Sequence, residues 1–576
     1  MKKNTLFLSP NARLVLEKRY LTKDPSGNAI ESPEEMFRRI AKNAASADLL
    51  YNKKADIISL EGQFYNLMSS LQFLPNSPTL MNASRCLQQL LACFVLPVED
   101  SIESIFESVK LAALIHKSGG GTGFSFSHIR PKNDIVSASC GLASGPVSFM
   151  KVFNEATEAI NQGGFRRGAN MAVLNVNHPD ILDFINSKRS EGVLTNFNIS
   201  IGITDAFMQA VEKNQTFPLI NPRTNKITNT INAKDLFKQI VHSAWKNGEP
   251  GLLFIDTINA ANPTPLIGEI EGTNPCGEQP LIPYEACVLG SINVSKMAEC
   301  KNGKYEIDWN NLEETIRLAV HFLDNIIDAS KYPLPQIELL TKGNRKIGLG
   351  IMGFADLLIK LNIPYNSEKA IQFADKLLHF FSQKANEESV RLAEVRGVFP
   401  NYNKSIYATT SEIKYRNATR TTIAPTGTIS IIADCSSGIE PLFAIAYTQH
   451  VLVDEGLPRI HPLFEEIAKR RGIYSERLLE DVKKEGSIQN IKYISDDIKS
   501  VFVTARDISP EYHVRIQAVC QKHIDNAVSK TINFPKDSTE EQVERVFLSA
   551  YRSGCKGITV YRDKSRMSQV LSTECT

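Results

Sequence analysis

The sequence predicts an α/β protein with a helical region at its N-terminus, and three observations lead there. The first ~70 residues carry helix signals: Ser32-Pro33-Glu34-Glu35 is a capping box with proline at the first helical position, opening a run through Met36, Ile40 and Ala44. From about residue 86, short apolar runs alternate with helical stretches. No repeat, low-complexity tract or Pro/Ser-rich linker interrupts this alternation, so residues 86–535 read as one continuous domain between a helical region 1–85 and a C-terminal segment 536–576.

The candidate strands are Met171–Leu174, Gly251–Ile255, Ile429–Ile432 and Val501–Val503. Between them, Leu312, Ile316, Val320, Leu323 and Ile327 follow helical spacing, and a long helix runs from about Ser367 to near Gly397. Strands separated by helices imply parallel pairing, with active groups on loops at the strand ends.

Composition narrows the function classes. A net charge of +2 over 576 residues argues against a nucleic-acid or membrane-surface protein, and no apolar run approaches the ~18 residues of a membrane span. The N-terminus has two lysines but a three-residue apolar run, too short for a signal peptide. Ten cysteines (86, 93, 140, 276, 287, 300, 435, 520, 555 and 575) lack any C-x-x-C or zinc-finger spacing, so no metal site is expected. Their scatter points to a reducing cytoplasm, where a disulfide is catalytic more often than structural.

Asn274-Pro275-Cys276-Gly277-Glu278, with Cys287 eleven residues beyond Cys276, carries the strongest chemical signal. It sets a thiol between an amide and a carboxylate on a Pro/Gly turn that lifts the cysteine out of regular structure. Alone it is a modest signal, because cysteine is more often a small buried hydrophobe. Three further segments have compositions that packing does not explain. Ser118–Phe126, with four glycines in five positions, reads as a backbone offering N–H groups to an anion or as a flexible loop. Gln162–Asn170, with adjacent Arg166 and Arg167, reads as a base- or phosphate-reading loop or as a solvated turn. Ala424–Ser430 offers hydroxyls and N–H groups suited to a diphosphate, and Ser77-Pro78-Thr79 is a weaker turn of that kind.

Taken together, these segments resemble one family. Asn274–Glu278 followed by Ala286-Cys287-Val288-Leu289-Gly290-Ser291-Ile292-Asn293 resembles the radical-cysteine region of ribonucleotide reductase catalytic subunits, and Leu91-Ala92-Cys93 resembles the site of their partner redox cysteine. The Gly121, Gln162–Ala169 and Pro425–Ser430 segments fall in the family's order, and the resemblance runs from about residue 10 to 566. It implies a ten-stranded α/β barrel of two parallel five-stranded halves. Gly119–Ser127, Ala433–Pro441 and Gly554–Asp563 look like the adenosylcobalamin-dependent class. The metal-radical class, which needs a separate radical-generating subunit, requires adjacent tyrosines where this chain has only Tyr561.

The resemblance also implies roles. Cys276 becomes a thiyl radical that takes the 3′ hydrogen of a ribonucleotide, diphosphates being expected; Glu278 takes the 3′-hydroxyl proton and Asn274 polarises the same region. Cys93 and Cys287 supply two electrons and end as a disulfide. Substrate lies against Ser77, Ala92, Cys93, Gly121, Asn274, Pro275, Cys276, Gly277 and Glu278, with its phosphates on Pro425, Thr426, Gly427, Thr428, Ile429 and Ser430. Asp100, Arg130, Gln162, Arg166 and Arg167 resemble the machinery by which a deoxynucleotide or ATP effector selects the base. A homodimer and a thioredoxin-like reductant are the expected partners. The family core starts almost at once, near Asn11, so no overall on/off control by dATP is expected; one tail cysteine, Cys575, leaves open which reductant acts.

Overall fold

In the computed structural model, described for residues 6–136, 140–161, 168–449, 457–565 and 571–572, ten strands join one sheet. They are β1 (Phe73–Pro75), β2 (Cys93–Leu96), β3 (Gly121–Ser125), β4 (Asn170–Asn175), β5 (Phe197–Ile203), β6 (Gly251–Phe254), β7 (Ala286–Asn293), β8 (Ile347–Met352), β9 (Thr531–Phe534) and β10 (Gly557–Arg562). Strands β2 to β6 run parallel in sequence order. A second parallel set starts with β7 and β8, continues through the 419–424 segment by the Leu349–Thr421 and Ile423–Val528 bridges, and ends with β9 and β10. The halves meet at two antiparallel joints, β2 on β7 and β6 on β10. The result is a closed barrel of two parallel five-stranded halves, with short β1 lying antiparallel along β7.

Parallel strands covered on both faces carry near-continuous apolar or small residues, and every residue of β3, β7 and β8 is buried. This is why β7 and β8 lack the two-residue alternation of a half-exposed strand.

Helices α1 (Pro10–Arg19), α2 (Pro33–Ala45) and α3 (Ile57–Ser69) make up most of the N-terminal region. The expected capping box of α2 is present, with Ser32 and Glu35 bonded reciprocally. The core helices α4 (Trp309–Ala329) and α5 (Glu368–Arg396) cover the second half-barrel; Ser367 caps α5 and Gly397, at φ +81°, ends it. Buried charges tie the two parts together. Asp324 of α4 is completely buried and paired to Arg345, Arg396 and Arg416, while Arg396 also reaches Asp48 of the N-terminal region at 2.7 Å.

Met171–Leu174 is strand as expected, and of the expected strand Gly251–Ile255 residues Gly251–Phe254 are strand while Ile255 opens a helix. Three expectations are corrected. Ile429–Ile432 is a single helical turn, and Val501 ends a short helix Asp496–Val501 instead of opening a strand. A four-residue, mostly apolar run fits a buried helix turn as well as a buried strand, and here the 419–424 segment already fills the barrel position. The boundary at 535 also dissolves, because β10 pairs with both β6 and β9 and closes the barrel.

Candidate active site

A hairpin inside the barrel carries Cys276. Gly272 pairs with Leu281 and Thr273 with Pro280, so the 274–279 tip is clamped at its base. Asn274 Oδ1 accepts from the Gln279 N–H at 3.0 Å, and the Gly277 N–H donates to the Asn274 carbonyl at 3.0 Å. Gly277 sits at φ +80°, a conformation that favours glycine, and the turn leaves Cys276 exposed between buried Asn274 and Glu278.

Both half-barrels hold this tip. Asn198 of β5 donates to the Pro275 carbonyl at 2.7 Å. From the opposite half, the Thr422 hydroxyl and the Ala527 N–H donate to the Glu278 carbonyl at 2.9 and 3.0 Å. The glycines of β3 admit the hairpin: a Cβ at Gly123 would lie 1.8 Å from the Thr273 carbonyl oxygen, and one at Gly121 2.9 Å from Pro275 Cγ. The Ser118–Phe126 segment is therefore strand from Gly121 onward. The N–H groups of Gly121 and Thr122 are spent on the Ala92 and Ala169 carbonyls and do not face an anion.

Asn274 and Glu278 converge on a second thiol. Asn274 Nδ2 donates to Cys93 Sγ at 3.1 Å, and Glu278 Oε1 lies 4.0 Å from the same sulfur. Cys93 is the register partner of Cys287 across the β2–β7 joint. Direct cross-strand partners have Cα atoms about 4.5–5.5 Å apart, within the window of about 4.4–6.8 Å that a disulfide needs. The two thiols share a buried cluster with Ala92, Leu289 and Ala424. Burial pushes the Cys287 thiol well up, nearby Glu285 adds to the rise, and Lys346 opposes it, so this sulfur holds its proton.

Cys276 also borders a cavity of about 610 Å3. Its walls mix apolar Leu253, Leu442 and Val560 with polar Asn198, Glu440 and Tyr561. Of the 425–430 turn, Pro425 and Ser430 line this cavity. Thr426 is held at φ +54° with its hydroxyl accepting from the Gly438 N–H at 2.8 Å, and Ser430 pairs with Ser437 at 2.9 Å. Among the described residues, the N–H groups of Gly427, Thr428 and Ile429 find no carbonyl partner. The Thr428 hydroxyl lies 3.5 Å from the Arg19 guanidinium of α1.

Cys93, Asn274, Cys276, Glu278 and Cys287 thus meet in the barrel, with Ala92, Gly121, Pro275, Gly277 and the 425–430 turn around them. Ser77 opens the short helix after β1, its hydroxyl bonded to the Tyr20 hydroxyl at 2.8 Å, and the preceding Asn76 bonds the Leu289 carbonyl. Asp100 and Arg130 pair with each other at 2.8 Å, and Gln162, Arg166 and Arg167 lie outside the described residues. The sequence reading missed Asn198 and Thr422, and it marked Ala433–Pro441 as a class feature without placing it on the wall of this cavity. The first two act through backbone contacts that leave no motif, but Ser436-Ser437-Gly438 is itself a turn signal. Among the described residues no group of three His, Cys, Asp or Glu side chains could hold a metal ion, and no helix is long and apolar enough to cross a membrane.

A family model described as the ribonucleotide reductase barrel domain matches residues 91–561, and one described as the ribonucleotide reductase all-alpha domain matches residues 6–88. The vitamin B12-dependent ribonucleoside-diphosphate reductase of Thermoplasma acidophilum is 50% identical, over 99% of this chain and 81% of its own length. The enzyme of that name from Mycobacterium tuberculosis is 46% identical, over 99% of this chain and 82% of its own. Among solved structures, the class Id ribonucleotide reductase alpha subunit of Actinobacillus ureae superposes with a TM-score of 0.78 at 22% identity, covering 97% of each chain.

Proposed function

The chain belongs to the ribonucleotide reductase family, and we propose that it reduces ribonucleoside diphosphates to 2′-deoxyribonucleotides by a thiyl-radical route, with adenosylcobalamin as cofactor. The observation that carries this reading is the convergence of Asn274 and Glu278 on Cys93, itself the register partner of Cys287, below the exposed Cys276. A regulator that merely bound nucleotides would need none of these thiols.

The lining of the cavity suits the cofactor, since it reaches Cys276 and offers the apolar walls and hydrogen-bonding groups that a corrin with amide side chains requires. Asn198, Ser437, Glu440, Asn533 and Tyr561 are the polar groups that would hold it. Bound there, adenosylcobalamin would supply the radical chemistry that turns the Cys276 thiol into a thiyl.

The Cys276 sulfur then takes the 3′ hydrogen of the ribose. Glu278 accepts the 3′-hydroxyl proton and Asn274 hydrogen-bonds the same region. The 2′-hydroxyl leaves as water with a proton from the thiol pair. Cys93 and Cys287 give up two electrons in all and close as a disulfide, and Cys276 returns its hydrogen to the 3′ carbon and is left once more as the thiyl. Ser77, Ala92 and Gly121 line the nucleotide, and the unpartnered N–H groups at Gly427–Ile429 suit its phosphates. Asp100, Arg130, Gln162, Arg166 and Arg167 serve a deoxynucleotide or ATP effector in a homodimer, and a thioredoxin-like dithiol reopens the disulfide.

The test is anaerobic turnover of CDP and CTP by the purified chain with dithiothreitol, with and without adenosylcobalamin. Deoxycytidine product only with the cofactor, and faster from CDP, is expected. Cofactor-independent turnover would overturn the assignment of cofactor, and preference for CTP the assignment of substrate.

A further inference from the structure

A fully buried ion pair lies against Cys287. Glu285 precedes Cys287 by two residues, so along an extended chain the two side chains share a face. Lys346 stands just before β8, and the Val288–Ile347 register sets it beside Cys287. Glu285 is 0% and Lys346 1% exposed, with Lys346 Nζ 2.6 Å from Glu285 Oε2. Asn344 Nδ2 donates to the other carboxylate oxygen at 2.7 Å, and the Cys287 thiol donates to the Lys346 carbonyl at 3.5 Å. Taking both charges out of water offsets most of their attraction, so stability alone is a poor account of this pair.

We propose that Glu285 and Lys346 are opposed positioning residues that set how readily Cys287 departs as the leaving sulfur when the Cys93–Cys287 disulfide is reduced, Lys346 easing the step and Glu285 resisting it. The proposal rests on the reading of Cys93 and Cys287 as a redox pair. The groups facing Cys287 are Glu285 on its own strand, Lys346 beside β8, Glu278 on the hairpin tip and Cys93 on β2; the two carboxylates raise the thiol and Lys346 lowers it. Lys346 in turn borders a void of about 10 Å3 with Asp525 and Lys556, and Lys556 is itself brought down to about 8 by burial.

In the step, a thiolate of an external dithiol attacks Cys93, the less deeply buried sulfur at 4% against 0% exposure. The S–S bond breaks and its electron pair leaves on Cys287 Sγ, which takes up the proton released by the reductant. The reductant's second thiol then displaces Cys93, ending as a disulfide and leaving two protein thiols. A leaving sulfur of lower pKa departs faster. Removing Glu285's charge therefore speeds opening, and removing Lys346's charge slows it.

The experiment oxidises the full chain and tracks opening of the Cys93–Cys287 disulfide by dithiothreitol across pH, using alkylation and mass spectrometry. Glu285→Gln should open about threefold or more faster than wild type and Lys346→Met about threefold or more slower. The double variant should fall between them, and Lys346→Arg should keep the wild-type rate. A purely structural role would move both single variants in one direction. That result, or no change in either, overturns the proposal. Should Lys346→Met alone not fold, adding it to Glu285→Gln must still slow opening relative to Glu285→Gln. Absence of a Cys93–Cys287 disulfide after wild-type turnover would instead sink the functional reading beneath it.

Discussion

Cys93 and Cys287 are register partners across the antiparallel joint where the two half-barrels meet, one strand coming from each half. The joint makes them neighbours without a disulfide in this state, and Asn274 and Glu278 approach Cys93 from the hairpin that the barrel encloses. If this pair supplies the electrons, one turnover without external reductant should remove two titratable thiols per chain. A thiol count on denatured protein before and after a single turnover checks this, and an unchanged count would refute the role. Cys93→Ser should lose no thiols and make no deoxynucleotide.

Cys276 is exposed at the hairpin tip, so replacing its sulfur by oxygen alters little packing. Cys276→Ser should abolish reduction while nucleotide affinity stays within about twofold, a shift below about 0.5 kcal/mol. Calorimetric titration of CDP alongside a product assay separates the two effects; retained turnover would end the thiyl assignment.

Gly123→Ala would drive a methyl group into the Thr273 carbonyl at the base of the hairpin. Overpacking of this kind costs about 1–3 kcal/mol. The expected variant folds with a lowered Tm and reduced turnover, because the Cys276 tip shifts while the barrel persists. Circular dichroism melting and steady-state assay together test it, and wild-type activity would show that the hairpin can yield.

Asp324 holds three arginines in a dry site. Asp324→Asn takes away the carboxylate paired with Arg416 and leaves Arg345 and Arg396 with Asp328 and Asp48 alone, and should destabilise the chain by about 3–5 kcal/mol. Urea unfolding reads this directly, and the loss should loosen the N-terminal helices, which Arg396 joins through Asp48.

Burial alone would raise the Asp356 carboxyl, but the hydrogen bond and charge of His461, with the Ser436 N–H, outweigh it and hold the group at about 2. Its folded pKa lies below its unfolded value, so its contribution is complete above about 4 and fades as pH falls through about 2. The stabilisation is about 2 kcal/mol at neutral pH. Denaturation midpoints across the acid limb should flatten in Asp356→Asn; an unchanged acid slope would exclude this pair as a cause.

Local chemistry was legible where a motif is contiguous. Asn274–Glu278 carries its turn in its own Pro and Gly, and Ser32–Glu35 carries its cap. The 425–430 turn was legible as a polar loop, yet the Ile429–Ile432 run at its end was not legible as helix, since four residues are too few to show a period. Asn198 and Thr422 could not be found from sequence, because each acts on a backbone carbonyl 77 or 144 residues away.

By itself the sequence determined the α/β class, the thiols and the turn that exposes Cys276, because these depend on residue type and short-range conformation. Only the tertiary structure decided that Cys93 faces Cys287, that Gly121 and Gly123 make room for the hairpin, and that 419–424 and β10 close the barrel. Those outcomes depend on strand register and on packing between distant segments. No local spacing encodes them, since each contact gains its energy only when the whole barrel has closed.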